Sequence, residues 1–282
     1  MYTYGDLIKD IDHLKSNGIK VSKIGKSELG LDIPYIHIGD YFGKQIIVMG
    51  AIHARENITA LLIMRQAYEL AFEANNFDGG VYFIPMLNPD GAILLDGAKG
   101  FEEHEKVKSA IKINGGSKDF SLWKANINGV DLNNNFDARF GMGKGQVNYP
   151  ASQGYMGEFA FCEKETESLM RFTLMVQPSL TISYHAKGQE IYWEFFQNEE
   201  DRKRDLKLAR DIAKYLGYLR VDGDLGSSGG YKDWCIDRLK ISALTIEIGD
   251  DKYQHPLNEK ILLTEWERHK GLIAYLKNRK KG

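Results

Sequence analysis

Two cysteines, Cys162 and Cys235, are too few to frame a chain of 282 residues with disulfides. Both stand among apolar neighbours, so buried thiols are expected rather than ligands. No apolar run approaches the ~20 residues that span a bilayer, which argues against a membrane partner. The opening Met1-Tyr2-Thr3-Tyr4-Gly5-Asp6 lacks the basic-then-apolar order of a secretory leader, and the expectation is a cytoplasmic chain. An excess of charge is missing too. With 37 Lys and Arg against 39 Asp and Glu, the net charge of −2 excludes a nucleic-acid binder driven by bulk charge. The basic end (Lys277, Arg279, Lys280 and Lys281) reads as a solvated helix terminus that complements the helix dipole.

The chain does have 43% hydrophobic residues, enough for a substantial core, and neither a repeat nor a linker that divides it. A single domain over residues 1–282 is expected. Leu7, Ile8, Ile11 and Leu14 make a helical stripe closed by Asn17-Gly18. Strands are predicted at Val21–Ile24, Ile33–Ile38, Gln45–Ile52, Val81–Met86, Leu180–His185 and Ala243–Ile248. Helices are predicted at Ile58–Phe72, Glu163–Met175, Glu200–Leu216, Asp233–Arg238 and Asn258–Lys277, and a turn at residues 75–80. Gln45–Ile52 has the continuous apolar character of a strand covered on both faces. The alternation indicates an α/β sheet with helices on both sides. Residues 88–155, rich in Gly and Asn, read as one long functional loop.

Chemistry gathers at the ends of predicted strands. His53-Ala54-Arg55-Glu56 follows the most apolar strand, so one strand-to-helix turn offers an imidazole and a carboxylate. Catalytic zinc takes three protein ligands and keeps a position open. Alone, an HxxE pair is weak, because a surface histidine near a glutamate is the commoner explanation. His185 closes another strand and makes a third ligand available. Sites of open α/β sheets lie outside the carboxyl ends of strands, where both histidines fall. Glu247 stands in the apolar strand Leu244-Thr245-Ile246-Glu247-Ile248, and a buried carboxylate needs a partner. His13 and His37 fall in packing elements, and His104 and His269 on charged stretches expected to be exposed.

In order along the chain, HARE (53–56), NPDG (88–91), GVDLNNNF (129–136), SYHAKGQ (183–189) and DW…TIEIG (233–249) resemble the motifs of the carboxypeptidase A-like zinc peptidases. The fourteen positions from Asp233 to Glu247 match the family's step between its pocket Asp-Trp and its catalytic glutamate. The resemblance covers nearly the whole chain and implies a mixed sheet of about eight strands flanked by helices. It implies one zinc ion on His53, Glu56 and His185, with Glu247 as general base. Ligand type also admits cobalt or manganese. By the same resemblance Asp131 orients His53, Asn133 holds substrate on the leaving-group side, and Arg55 contacts substrate beside the metal. Lys124 falls where the family has an arginine polarising the scissile carbonyl; it keeps the charge and loses the bidentate fork.

Three departures bear on substrate. Carboxypeptidases read Asn-Arg where this chain has Asn133-Asn134, and an asparagine cannot clamp a terminal carboxylate with charge-assisted bonds. Leu225 falls at the family's mobile tyrosine, for which Tyr231 or Tyr155 are possible substitutes. Lys232 precedes Asp233-Trp234 at the pocket base, where it either meets a substrate carboxylate or reaches solvent. With these departures the chain most resembles the bacterial branch that hydrolyses γ-D-glutamyl-diaminopimelate bonds in cell-wall peptides. The implied partner is a peptide or soluble muropeptide. A carboxypeptidase releasing polar or acidic C-terminal residues, a deacylase of acyl amino acids and a non-enzymatic binding module remain as alternatives. Oligomeric state is not legible.

Overall fold

The computed structural model describes residues 1–72, 78–223 and 226–278. The expected turn at 75–80 falls partly outside the described residues, and Leu225, Arg279, Lys280 and Lys281 fall wholly outside them.

In chain order the elements are α1 (Tyr4–Ser16), β1 (Lys20–Lys26), β2 (Asp32–Gly39), β3 (Gln45–Met49), α2 (Ile58–Phe72), β4 (Gly80–Ile84), α3 (Pro89–Leu95) and α4 (Glu105–Ile113). Then come α5 (Lys164–Val176), β5 (Leu180–Ala186), β6 (Glu190–Tyr192), α6 (Glu199–Leu216), β7 (Leu219–Val221), α7 (Tyr231–Asp237), β8 (Ser242–Ile248), α8 (Ile261–His269) and α9 (Leu272–Asn278). The strands form one eight-stranded sheet in the order β1-β2-β4-β3-β5-β8-β6-β7. Its centre is parallel, with β4, β3, β5 and β8 running together. Antiparallel pairings join β1 to β2, β2 to β4 and β6 to β8.

Side chains alternate between two cores because successive strand residues face opposite ways. Ile46, Val48, Ile182 and Ile246 pack with Leu7 of α1, Leu62 and Ile63 of α2, Ile212 of α6 and Ile273 of α9. Ile47, Met49, Ile84 and Ala243 pack with Leu169 and Phe172 of α5 and Trp234 of α7. Helices thus cover both faces, and β3, β4 and β5 are buried throughout. Among the described residues no helix is long and apolar enough to cross a membrane.

Some expectations need correction. Residues 88–155 contain α3 and α4 rather than a continuous loop. Asn88 starts α3 by accepting the Gly91 N–H at 2.9 Å, with Pro89 in the first turn, and only Val107 and Ala110 bury the apolar side of α4. The helix expected over 258–277 is two helices. Gly271, at φ +74°, turns the chain between α8 and α9 while its N–H donates to both Glu69 oxygens at 3.0 Å. His269 is buried, its Nδ1 2.8 Å from the Glu265 carbonyl, whereas His13 is exposed. Cys235 is buried and Cys162 partly so.

Candidate metal centre

The chain order β3, α2, β4 moves to one side of β3, and β5 lies on its other side. The strand order therefore reverses at β3 and β5, and open α/β sheets place their sites at the carboxyl ends of such strands. His53 lies just beyond β3, and a single 3-10 turn, Ala54–Glu56, swings Glu56 back toward it. The turn is braced on both sides. Ala54 N–H donates to the Lys124 carbonyl at 3.2 Å and Arg55 N–H to the Trp123 carbonyl at 3.0 Å. Asn88 of the NPDG motif donates to the carbonyls of Ile52, at 3.2 Å, and Ala125, at 3.1 Å. It thereby ties the end of the β3 segment to the irregular segment carrying Lys124. Thr59 at the start of α2 donates to the Glu56 carbonyl at 2.7 Å and accepts the Ala51 N–H at 2.8 Å.

These braces bring His53, Glu56 and His185 together, all buried. His53 Nδ1 lies 3.0 Å from Glu56 Oε1 and 3.2 Å from His185 Nδ1, and the latter lies 3.3 Å from Glu56 Oε2. Tetrahedral zinc with bonds of about 2.0–2.1 Å keeps its ligand atoms about 3.3 Å apart, so this spacing suits the ion. Two Nδ1 atoms facing each other across a carboxylate also present lone pairs to one point, an arrangement a cation stabilises. The residues present fit zinc.

Asp131, just before the turn Leu132–Asn134, supports both histidine and lysine. Its Oδ1 is 3.2 Å from His53 Nε2, while Oδ2 is 3.4 Å from Lys124 Nζ and accepts the Gly154 N–H at 3.1 Å. Burial alone would raise this carboxyl; the Lys124 ammonium and then the His53 ring outweigh it and hold Asp131 well below the usual carboxylate range. Burial alone would lower Lys124, and Asp131 followed by Glu56 reverses that, so it stays a cation.

Glu247 on β8 lies directly opposite His185 in the strand register. Its Oε2 is buried without a hydrogen-bond partner in the protein. Burial, then the Glu56 charge, pushes this carboxyl well above the usual range, with Lys124 opposing. Asn133 Oδ1 accepts the Tyr231 N–H at 3.1 Å, and Asn134 Oδ1 accepts from Gln146 Nε2 at 3.3 Å. Arg55 is partly exposed and donates from Nη1 to the Leu122 carbonyl at 3.3 Å.

Two expected substrate contacts are placed differently. Tyr231 is wholly buried, with its hydroxyl 2.8 Å from Thr173 Oγ1 and its ring beside Phe136, so it cannot stand in for the missing tyrosine. Tyr155 is buried as well. Lys232 is 8% exposed rather than solvated, its Nζ paired with the Asp233 carboxylate and 3.0 Å from the Glu194 carbonyl. A substrate carboxylate would compete with Asp233 for it. Sequence reasoning passed over two rim residues, His255 and Glu190. His255 is lowered by burial and then by nearby Arg55. Glu190 lies between the expected strand Leu180–His185 and helix Glu200–Leu216, on β6, which is only three residues long.

The family model described as zinc carboxypeptidase matches residues 4–271. The chain belongs to the zinc carboxypeptidase family. A relative named gamma-D-glutamyl-L-diamino acid endopeptidase 1, from Lysinibacillus sphaericus, is 30% identical over 275 residues, 92% of this chain and 68% of the relative. Bovine thrombin-activatable fibrinolysis inhibitor superposes with a TM-score of 0.78 at 19% identity, over 98% of this chain and 95% of that one. Murein-tripeptide amidase MpaA from Escherichia coli O157 superposes with a TM-score of 0.63 at 19% identity, over 93% of both chains. These likenesses establish the sheet of the family. As a member of the zinc carboxypeptidase family, the chain is a metallopeptidase whose cofactor is zinc and whose substrates are peptides.

Proposed function

We propose that this zinc carboxypeptidase-family enzyme hydrolyses the amide between γ-D-glutamyl and a diamino acid, diaminopimelate above all, in cell-wall peptides. The observation that carries the reading is Asn134. It stands where the family places its carboxylate-clamping arginine, and its Oδ1 is already engaged by Gln146. A neutral amide there removes the strong charge-assisted contact on which release of ordinary C-terminal residues relies. The relative named for γ-D-glutamyl-L-diamino acid endopeptidase activity supports the same choice.

His53, Glu56 and His185 would hold the zinc, which when bound would supply Lewis-acid polarisation of the scissile carbonyl and a lowered pKa for water. Glu247, opposite His185, accepts the proton of the attacking water through Oε2 and returns it to the leaving nitrogen. Burial and the Glu56 charge raise its carboxyl above the usual range, which favours its taking up that proton. Lys124, fixed by Asp131, sets a positive charge where the oxyanion develops. Asp131 faces His53 Nε2 at 3.2 Å, which leaves Nδ1 for the metal. Arg55 contacts substrate beside this centre and Asn133 holds it on the leaving-group side, with Asn134 and Lys232 as further substrate-binding positions, Lys232 as half of an ion pair. A soluble muropeptide is the proposed partner, and the cytoplasm the proposed compartment.

The test is mass-spectrometric analysis of products from L-alanyl-γ-D-glutamyl-diaminopimelate beside α-linked peptides with free and amidated C-termini. Release of diaminopimelate from the γ-linked tripeptide supports the reading. Stepwise loss of ordinary C-terminal residues, with the γ-linked tripeptide intact, replaces it with a plain carboxypeptidase.

A further inference from the structure

The strand register sets three functional groups in one row. His185 on β5 lies opposite Glu247 on β8, and Glu247 lies opposite Glu190 on β6. Directly opposed residues of neighbouring strands face the same side of the sheet. With strands about 4.8 Å apart, the Glu190 backbone stands roughly 10 Å from that of His185, one strand beyond Glu247.

Two carboxylates directly opposite each other on paired strands destabilise a sheet. The other acids around the site have cations: Asp131 has Lys124, Asp233 has Lys232, and Asp251 has Lys187, at 3.0 Å. Among the described residues Glu190 forms no ion pair; its carboxylate takes one hydrogen bond, from the Tyr192 hydroxyl at 2.6 Å. Both residues are partly exposed. A Cβ at Gly188 would come within 3.2 Å of Glu190 Oε2, so the glycine leaves that carboxylate uncrowded. The site therefore holds a fixed, reachable anion that the protein does not neutralise.

We propose that Glu190, steadied by Tyr192, receives a side-chain ammonium of the leaving residue and so selects a diamino acid at that position. The assignment to the leaving side rests on the hydrolytic role given to Glu247 above. Glu247 hands its proton to the leaving nitrogen, and Glu190 is the next side chain outward in the same row, away from His185. A leaving residue lying against Glu247 would extend its side chain along β6, where an ammonium neutralises Glu190 and relieves its repulsion with Glu247. A residue of the same length without the amine would leave that repulsion in place.

The experiment compares kcat/KM for two substrates identical except that the leaving residue carries or lacks the side-chain amine, lysine against norleucine, on zinc-loaded enzyme. Each pair is made with γ-linked and α-linked acyl halves. Glu190→Gln is expected to lower the amine-to-no-amine ratio of kcat/KM tenfold or more, and Tyr192→Phe to lower it less. An unchanged ratio in both variants, whether both substrates slow together or neither does, overturns the proposal. The two acyl series keep the questions separate. Loss of γ-link hydrolysis alone would remove the γ-glutamyl reading, while the ratio is still read from the α-linked pair.

Discussion

Replacing Asp131 with asparagine tests how one buried carboxylate serves two neighbours. In the native site Oδ1 faces His53 Nε2 at 3.2 Å, while Oδ2 faces Lys124 Nζ at 3.4 Å and the Gly154 N–H at 3.1 Å. With Nδ1 turned to the metal, Nε2 is the protonated nitrogen, so all three groups around Asp131 are donors. An asparagine has one acceptor and one donating NH2. If its oxygen serves His53, its NH2 meets Lys124 and Gly154; if it serves them, its NH2 meets His53. Loss of such support weakens metal affinity about 10–100-fold, or about 1.4–2.7 kcal/mol. Lys124 also loses an attraction of about 5 kcal/mol at an effective dielectric of ~20, reduced by the solvent that reaches it. D131N should therefore lose zinc earlier in a chelator competition and, with zinc saturating, remain at least about tenfold down in kcat/KM, a cost of about 1.4 kcal/mol. Zinc affinity within twofold of the native protein, together with native kcat/KM, would refute the role of Asp131.

Glu247→Gln removes the proton acceptor without touching a metal ligand, so kcat should fall about 10²–10⁴-fold at undiminished zinc content, read by steady-state kinetics and elemental analysis. Activity near native would take Glu247 out of the mechanism. Lys124→Arg should keep more kcat than Lys124→Ala, because charge rather than shape is what Asp131 holds in place. Equal kcat in the two variants contradicts this. Away from the centre, Glu28, Glu163 and Glu165 converge beneath Asn126, whose amide donates to Glu163 at 2.6 Å and to Glu165 at 3.4 Å. Burial, then Asp90 and Glu163, pushes Glu165 well above the usual range, and burial pushes Asp90 up to about 6. Both groups bind protons more tightly folded than unfolded, so their stabilisation is complete below about pH 4. It is lost as pH rises through 6 for Asp90, and later for Glu165. Between pH 5 and 8 the Tm of the native protein should fall more steeply than that of Glu165→Gln, by about 2–4 °C per kcal/mol; parallel melting curves contradict this.

What sequence alone discloses follows from where physical constraints are local. Gln45–Ile52 is apolar throughout because both faces of β3 are covered, and that pattern needs no knowledge of the rest of the chain. Placing His53 and Glu56 just past it, and His185 and Glu247 at the ends of other apolar strands, put the metal group in view before any coordinates. The short elements were not legible. Three residues of β6 and three of β7 carry too little periodicity, and Glu190 stayed hidden because its meaning lies in the cross-strand pairing with Glu247. Lys232 was left open between pocket base and solvent for the opposite reason. Its partner Asp233 is adjacent in the chain, yet only the packing of α7 against the Glu194 carbonyl shows the lysine buried. Tyr231 was misread because nothing in the sequence distinguishes a core hydroxyl satisfied by Thr173 from one that faces substrate.

The measurement that bears most directly on the centre is the metal content of purified protein after dialysis against trace zinc, with His185→Ala beside it. One zinc per chain, falling to near none in His185→Ala while the far-ultraviolet spectrum is kept, is the predicted result. Zinc retained at one per chain in the variant would mean that His53, Glu56 and His185 do not form the site.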